Sequence, residues 1–341
     1  MGKNSLFFMS LLVMIVGGTA CSSEDPAATE SSDQTETVED VTEKEEAEKQ
    51  EEGSTKEEKG MENQGDPRVD INGKIVFSRD NDTVQIEGTT NLIPGADLTV
   101  SFDAVKNILF SNWTNITVEE DGSFSGEVDY PNVDEPLDLM ITYSPDDQKE
   151  DIVEAYGEYG ENLEGPFVRI DPDEERENGE PKYILYTDYV LGEEDQTITI
   201  EPPGNEPPED YGETEAWLDF DAEREGDFVY IEGQSNILQG AKILASIDAD
   251  NYIISGYNDY DYVRPDGSFR MRAPIPGEDK LGEDADPYVS VKMRAQEQPP
   301  YIQEVYGETG GNLQGSMVKE TSIDWYGVVK EVKISELSGS E

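Results

Sequence analysis

Histidine is absent from the 341-residue chain, cysteine occurs once, and cations are scarce, with 24 Lys+Arg against 79 Asp+Glu for a formal net charge of −55. Without imidazole there is no Ser-His-Asp or Cys-His nucleophile system, no histidine-ligated zinc, iron or copper, and no histidine pH switch. A lone cysteine excludes an intrachain disulfide and a cysteine metal cluster. The shortage of Lys and Arg argues against nucleic acid as a partner, because phosphate contacts draw on basic patches. The one long apolar run, Ser5 to Val16, is too short to span a bilayer.

What is present begins with an address. Met1-Gly2-Lys3-Asn4 is a short basic start, the apolar run follows, and Gly17-Gly18-Thr19-Ala20-Cys21 closes it with small residues, the order of a secretory signal. Gly18-Thr19-Ala20-Cys21 resembles the lipobox of bacterial lipoprotein precursors, with Gly18 where Leu is usual. The resemblance implies a signal peptide over residues 1–20, cleavage before Cys21, and lipidation of Cys21, so that the mature chain sits on the extracytoplasmic face of the cell membrane. An N-myristoyl signal is discounted because Leu6 stands where Ser or Thr is required. Between Ser22 and Asp66 there are 17 acidic residues, 4 lysines and no aromatic residue. Such a segment buries too little apolar surface to offset its chain entropy, so residues 21–66 read as a lipidated, disordered acidic tether.

The remainder is a duplication. Val84 to Ala96 (VQIEGTTNLIPGA) returns as Val229 to Ala241 (VYIEGQSNILQGA), and Asp121-Gly122-Ser123-Phe124 returns as Asp266-Gly267-Ser268-Phe269, both 145 residues later. Tyr156-Gly157-Glu158 and Asn162-Leu163-Glu164-Gly165 return 150 residues later as Tyr306-Gly307-Glu308 and Asn312-Leu313-Gln314-Gly315. An insertion of five residues around Gly277 to Pro287 reconciles the offsets. Three blocks in one order give two units, residues 67–205 and 206–341.

Each unit reads as β. Val84 and Ile86, then Leu98, Val100 and Phe102, and in the second copy Val289, Val291 and Met293, alternate with polar residues at period two. That pattern gives strands with one buried and one wet face, as in antiparallel sandwiches. The Asp-Gly pairs mark hairpins. Ile152 to Tyr156 and Ile302 to Tyr306 each fit one helical turn ended by Gly157 or Gly307. Tyr183 to Val190, Thr197 to Ile200 and Val328 to Ile334 read as added strands closing the units. The fold class expected is all-β. The Gly-x-x-Asn-x-x-x-Gly-Ala turn, the strand after it and the Asp-Gly-Ser-Phe turn resemble bacterial immunoglobulin-like domains of surface proteins, most nearly the tandem Ig-like lipoproteins of Gram-positive bacteria. The resemblance implies two Ig-like sandwiches and no defined activity.

Candidate chemistry is sparse. Carboxylates are so abundant that a glycosidase-like pair is certain somewhere and therefore uninformative. No cofactor is implied, and structural calcium is the one metal whose ligand chemistry the sequence offers, at Asp80-Asn81-Asp82, Asp171-Pro172-Asp173 and Asp248-Ala249-Asp250-Asn251. None of these matches an EF-hand loop, and solvated acidic turns are the default. The dense acidity suits a salt-rich setting, where screening offsets self-repulsion.

The copies differ in charge. Ser125 and Glu127 become Arg270 and Arg272, Thr142 and Ser144 become Lys292 and Arg294, and Arg264 lies just upstream. These outward-pointing cations either dock the acidic first unit, meet an anionic envelope polymer or partner, or simply balance charge on wet strands. The two strands that carry them, if in opposite sheets, form no single patch. Tyr252, Tyr257, Tyr260 and Tyr262 crowd beside Asn and Asp side chains, a combination that stacks on and hydrogen-bonds sugars; aromatic strand packing is the plainer use. The function expected is a lipid-anchored, non-catalytic binding module of the envelope, with a passive spacer and a carboxylate-based glycan enzyme as the alternatives. Candidate binding residues are Arg264, Arg270, Arg272, Lys292, Arg294, Tyr257, Tyr260 and Tyr262, and the partners expected are the membrane, through Cys21, and an anionic polymer, glycan or protein.

Overall fold

In this computed structural model the described residues are 63–340 without 111, 176–179, 193, 278–279 and 283. The signal peptide, Cys21 and nearly all of the acidic tether lie outside them. The chain divides into Met1–Lys56 and Glu57–Glu341, and everything below concerns the second unit.

The first repeat runs β1 (Ile71–Ser78), β2 (Thr83–Thr90), β3 (Asp97–Asp103), β4 (Trp113–Thr117), β5 (Ser123–Asp129), β6 (Leu137–Tyr143), α1 (Glu150–Tyr156), β7 (Val168–Glu175), β8 (Pro181–Leu191) and β9 (Gln196–Ile200). The second repeats that order as β10 (Leu218–Glu225), β11 (Phe228–Ser235), β12 (Lys242–Asp248), β13 (Asn258–Tyr262), β14 (Ser268–Pro274), β15 (Tyr288–Arg294), α2 (Pro300–Tyr306), β16 (Val318–Ser322), β17 (Trp325–Lys333) and β18 (Ser338–Ser340). Each repeat makes a four-stranded sheet, β5-β2-β1-β9 or β14-β11-β10-β18, and a five-stranded one, β4-β3-β6-β8-β7 or β13-β12-β15-β17-β16. Pairing is antiparallel throughout except for β18, which runs parallel to β10. The loop between β14 and β15 holds the insertion the offsets require.

The alternation is physical. Leu98, Val100 and Phe102 are at most 2% exposed and meet Ile75, Val84 and Ile86 of the other sheet in one core. Val289, Val291 and Met293 meet Val229, Ile231 and Phe269 in a second core. The all-β expectation therefore holds: 47% of the described residues are in strands, with two short helices among them. The four sheets succeed one another like four propeller blades, and they do not separate clearly into two Ig sandwiches.

The repeated motifs recur because they touch one another. A Cβ at Gly88 would strike the Phe124 ring and the Asn72 carbonyl, and one at Gly233 would strike the Phe269 ring and the Asp219 carbonyl. The glycine of one block and the phenylalanine of the other thus occupy one space in both copies. Asn91 accepts from the Asp70 N–H at 2.8 Å and donates to the Arg68 carbonyl, and Asn236 accepts from the Trp217 N–H at 2.9 Å and donates to the Glu215 carbonyl. Each buried amide takes up backbone groups that have no ladder partner. The helical turns end at Gly157 and Gly307, both at φ 83°, and each places a buried tyrosine against the preceding turn. The Tyr156 hydroxyl accepts from Ile93 N–H and the Tyr306 hydroxyl from Leu238 N–H, both at 3.2 Å.

Candidate functional site

Asp138 and Met140 of β6 and Tyr186 and Asp188 of β8 point away from the first core, because their neighbours on each strand fill it. Arg270 and Arg272 of β14 likewise alternate with the core residues Phe269 and Met271. These two outer faces meet. Arg272 reaches Asp138 at 2.5 Å, Arg270 reaches Asp188 at 2.5 Å and Asp138 at 3.7 Å, and Arg264, in the loop before β14, reaches Asp188 at 3.0 Å and Asp261 at 3.3 Å. The sequence places these arginines outward from their own sheet; the structure covers them with the other repeat, so that the Arg272 side chain is 2% exposed. On the far side of the same joint, Lys106 lies 4.2 Å from the Phe228 ring centroid and 3.3 Å from Asp227.

A second strand tightens the cluster. Asp259 and Asp261 of β13 accept the backbone N–H groups of Arg272, at 2.7 Å, and Arg270, at 2.8 Å, so side-chain carboxylates replace a ladder along the edge of β14. In the first repeat the position of Asp261 is Ile116, and its side chain packs where a Cβ on Gly126 would fall. The second copy has therefore exchanged an apolar seam for a charged one, with Arg270 and Arg272 replacing Ser125 and Glu127 in the same exchange.

Electrostatics follow from this crowding. Burial pushes the Asp138 carboxyl above its ordinary range against the pull of Arg272 and Arg270. Burial, with Asp138 nearby, raises Asp259 to about 7. Burial acts on Asp188 too, but Arg264, Arg270 and Arg169 outweigh it and hold that carboxyl below its usual value.

The other expected residues are elsewhere. Lys292 and Arg294 sit on β15, in the other sheet from β14, so the five cations form no single patch. Lys292 faces Asp248 at 3.4 Å and Arg294 faces Glu297 at 2.8 Å. Tyr257 packs against the second core. Tyr260 and Tyr262 meet edge to face at 5.7 Å, with Lys242 lying 3.9 Å from the Tyr260 ring centroid. Among the described residues no group of three or more His, Cys, Asp or Glu side chains is arranged to hold a metal. Of the proposed calcium ligands, Asp248 instead faces Lys292.

Two features escaped the sequence reading. The aspartates that receive the arginines, Asp138 and Asp188, were invisible among 79 carboxylates; the change from Ile116 to Asp261 at an otherwise repeated position was the available signal. The loop tips were also missed: Ile108 is 83% exposed and Ile253, 145 residues later, is 102% exposed, with Phe110, Trp113, Tyr252 and Tyr260 exposed around them. The first of these loops is held by Glu135, which accepts N–H groups of Val105 and Lys106 at 3.0–3.1 Å. No protein-family model matches the chain, and no curated protein sequence matches it.

Proposed function

We propose that the protein is a lipid-anchored, extracytoplasmic, non-catalytic binding module of the cell envelope, in which a lipidated Cys21 and the acidic tether of residues 21–66 carry two Ig-like units. The observation that carries this reading is the pair of apolar loop tips, Ile108 and Ile253, at one position of both repeats. Exposed apolar side chains on loops of a firm β scaffold are characteristic of contact surfaces. Arg264, Arg270 and Arg272 are engaged within the protein, so recognition falls to the loops with Phe110, Trp113, Tyr252 and Tyr260. The Ig-like reading of each repeat is supported by a core shared between two facing sheets.

The test is co-sedimentation with isolated envelope of the parent and of a variant carrying Ile108→Ser, Phe110→Ser, Ile253→Ser and Tyr260→Ser. These exposed positions leave both cores intact, so the expected result is saturable retention of the parent and loss of retention in the variant. Equal retention of both proteins, or of neither, would contradict the reading and favour a passive spacer.

A further inference from the structure

A cavity of about 270 Å³ opens beside the Arg–Asp cluster, between β7 and β8 of the first repeat and the loop before β14 of the second. Its lining is unlike the rest of the protein. In a chain with 24 cations among 79 acids, three guanidiniums, Arg169, Arg264 and Arg270, converge here. Three carboxylates, Asp188, Asp266 and Glu201, also line it, so the pocket is neutral inside a molecule of charge −55.

The carboxylates differ in availability. Asp266 is held in its own turn, accepting from the backbone N–H and hydroxyl of Ser268 at 2.9 and 2.6 Å. Asp188 is shared between Arg264 and Arg270. Arg169 stacks its guanidinium on the Tyr186 ring, 2.9 Å from the centroid, and its Nε is buried without a hydrogen-bond partner among the described residues. A buried donor left open costs free energy unless water or a ligand takes its hydrogen bond. Flat apolar walls complete the space: Phe167, Tyr189, Pro203 and Pro265 surround it.

We propose that this cavity is a binding site for a single sugar-sized carboxylate of the uronic acid class, its carboxylate received by Arg169 and its ring laid against the walls made by Tyr189, Pro203 and Pro265. The volume lies just below the usual range for ligand pockets, roughly 300–1,000 Å³, which suits one pyranose and not an oligosaccharide. A carboxylate matches the guanidinium fork, and the C–H face of a pyranose matches the aromatic and proline walls. A neutral lining in an otherwise repulsive acidic field is what admits an anion here. This site goes beyond the envelope-module reading and does not involve the loop tips that reading uses.

Titration calorimetry of the purified protein with D-galacturonate, D-glucose and inorganic phosphate tests it, with Arg169→Gln and Arg169→Lys as variants. Arg169 is outside the ion pairs that join the repeats, and unchanged thermal unfolding of both variants verifies that the fold survives. The expected result is saturable binding of galacturonate, with glucose and phosphate each weaker. Galacturonate affinity should fall roughly tenfold or more in Arg169→Gln, the loss of one charged hydrogen bond, with partial recovery in Arg169→Lys. No saturable binding of galacturonate, equal binding by the parent and Arg169→Gln, or phosphate binding as tightly as galacturonate would each overturn the proposal. Loss of galacturonate binding with envelope retention intact would overturn this site alone, and the converse would overturn the envelope reading alone.

Discussion

Replacing Asp138 by alanine should destabilise the protein by about 3–5 kcal/mol, the cost of stranding one partner of a buried ion pair. Arg272 is 2% exposed, and its Nε and Nη1 already lack hydrogen-bond partners among the described residues. Its contact with Asp138 at 2.5 Å is, among the described residues, its one ion pair with the first repeat. Without that carboxylate the guanidinium keeps the backbone-bonded Asp259 and the neutral Tyr230 hydroxyl beside it. Burying a cation costs several kcal/mol, so the second repeat should move off the first or take in water. Arg272→Met removes the stranded charge, and the pair Asp138→Ala with Arg272→Met should recover most of the loss. Urea unfolding of the parent, both single variants and the double variant gives the coupling energy. A cost for Asp138→Ala below about 1 kcal/mol, the level of an exposed pair, or a coupling energy near zero, would refute the idea that this contact is buried and joins the repeats.

Other outcomes follow from the same geometry. Asp259 titrates near 7 in the folded state against an ordinary 3.8. A carboxyl whose folded value is raised contributes most below the unfolded value and loses that contribution as pH rises through the folded one, so Asp259→Asn should gain stability over the parent between pH 4 and pH 7. The shift sets a ceiling of about 4 kcal/mol, reduced by the one N–H acceptor that Asn lacks, and thermal melts across that range measure it; a difference independent of pH would contradict the placement of Asp259. Asn91→Ala and Asn236→Ala should each cost about 1–3 kcal/mol by leaving buried backbone groups unpaired, and a loss in only one would show that the repeated amides do not share a role. Gly160 and Gly310 sit at φ 68° and 78°, where an added Cβ meets the carbonyls of Tyr183 and Tyr326. Alanine at either should cost at least about 1 kcal/mol by calorimetry, and a neutral substitution would mean that the turn differs. If dense surface acidity is tuned to salt, the unfolding temperature should rise from dilute buffer to molar NaCl; an unchanged value would remove that expectation.

The strands were legible because alternation at Leu98, Val100 and Phe102, repeated at Val289, Val291 and Met293, is enforced by a core on one side only. The duplication was legible because Gly88 and Phe124, and Gly233 and Phe269, must change together or not at all. Alternation tells which way Arg270 and Arg272 point but not what lies there, since a residue facing away from its own core meets either water or another sheet. The partners lie more than 75 residues away on other strands, a distance at which one sequence carries no pairing signal. The tips at Ile108 and Ile253 were hidden differently, because isolated isoleucines in loops look like the ends of strands.

The most direct measurement is the distance distribution between spin labels at Ser125 in the first repeat and Ser335 in the second, both exposed, in a chain whose single cysteine, Cys21, is replaced by Ser. Buried pairs are screened far less than exposed ones, so one narrow distance should persist from dilute buffer to molar NaCl and broaden in Asp138→Ala with Asp188→Ala. A broad distribution in the parent protein, or one unchanged by removing both aspartates, would contradict a joint made by the arginine–aspartate cluster.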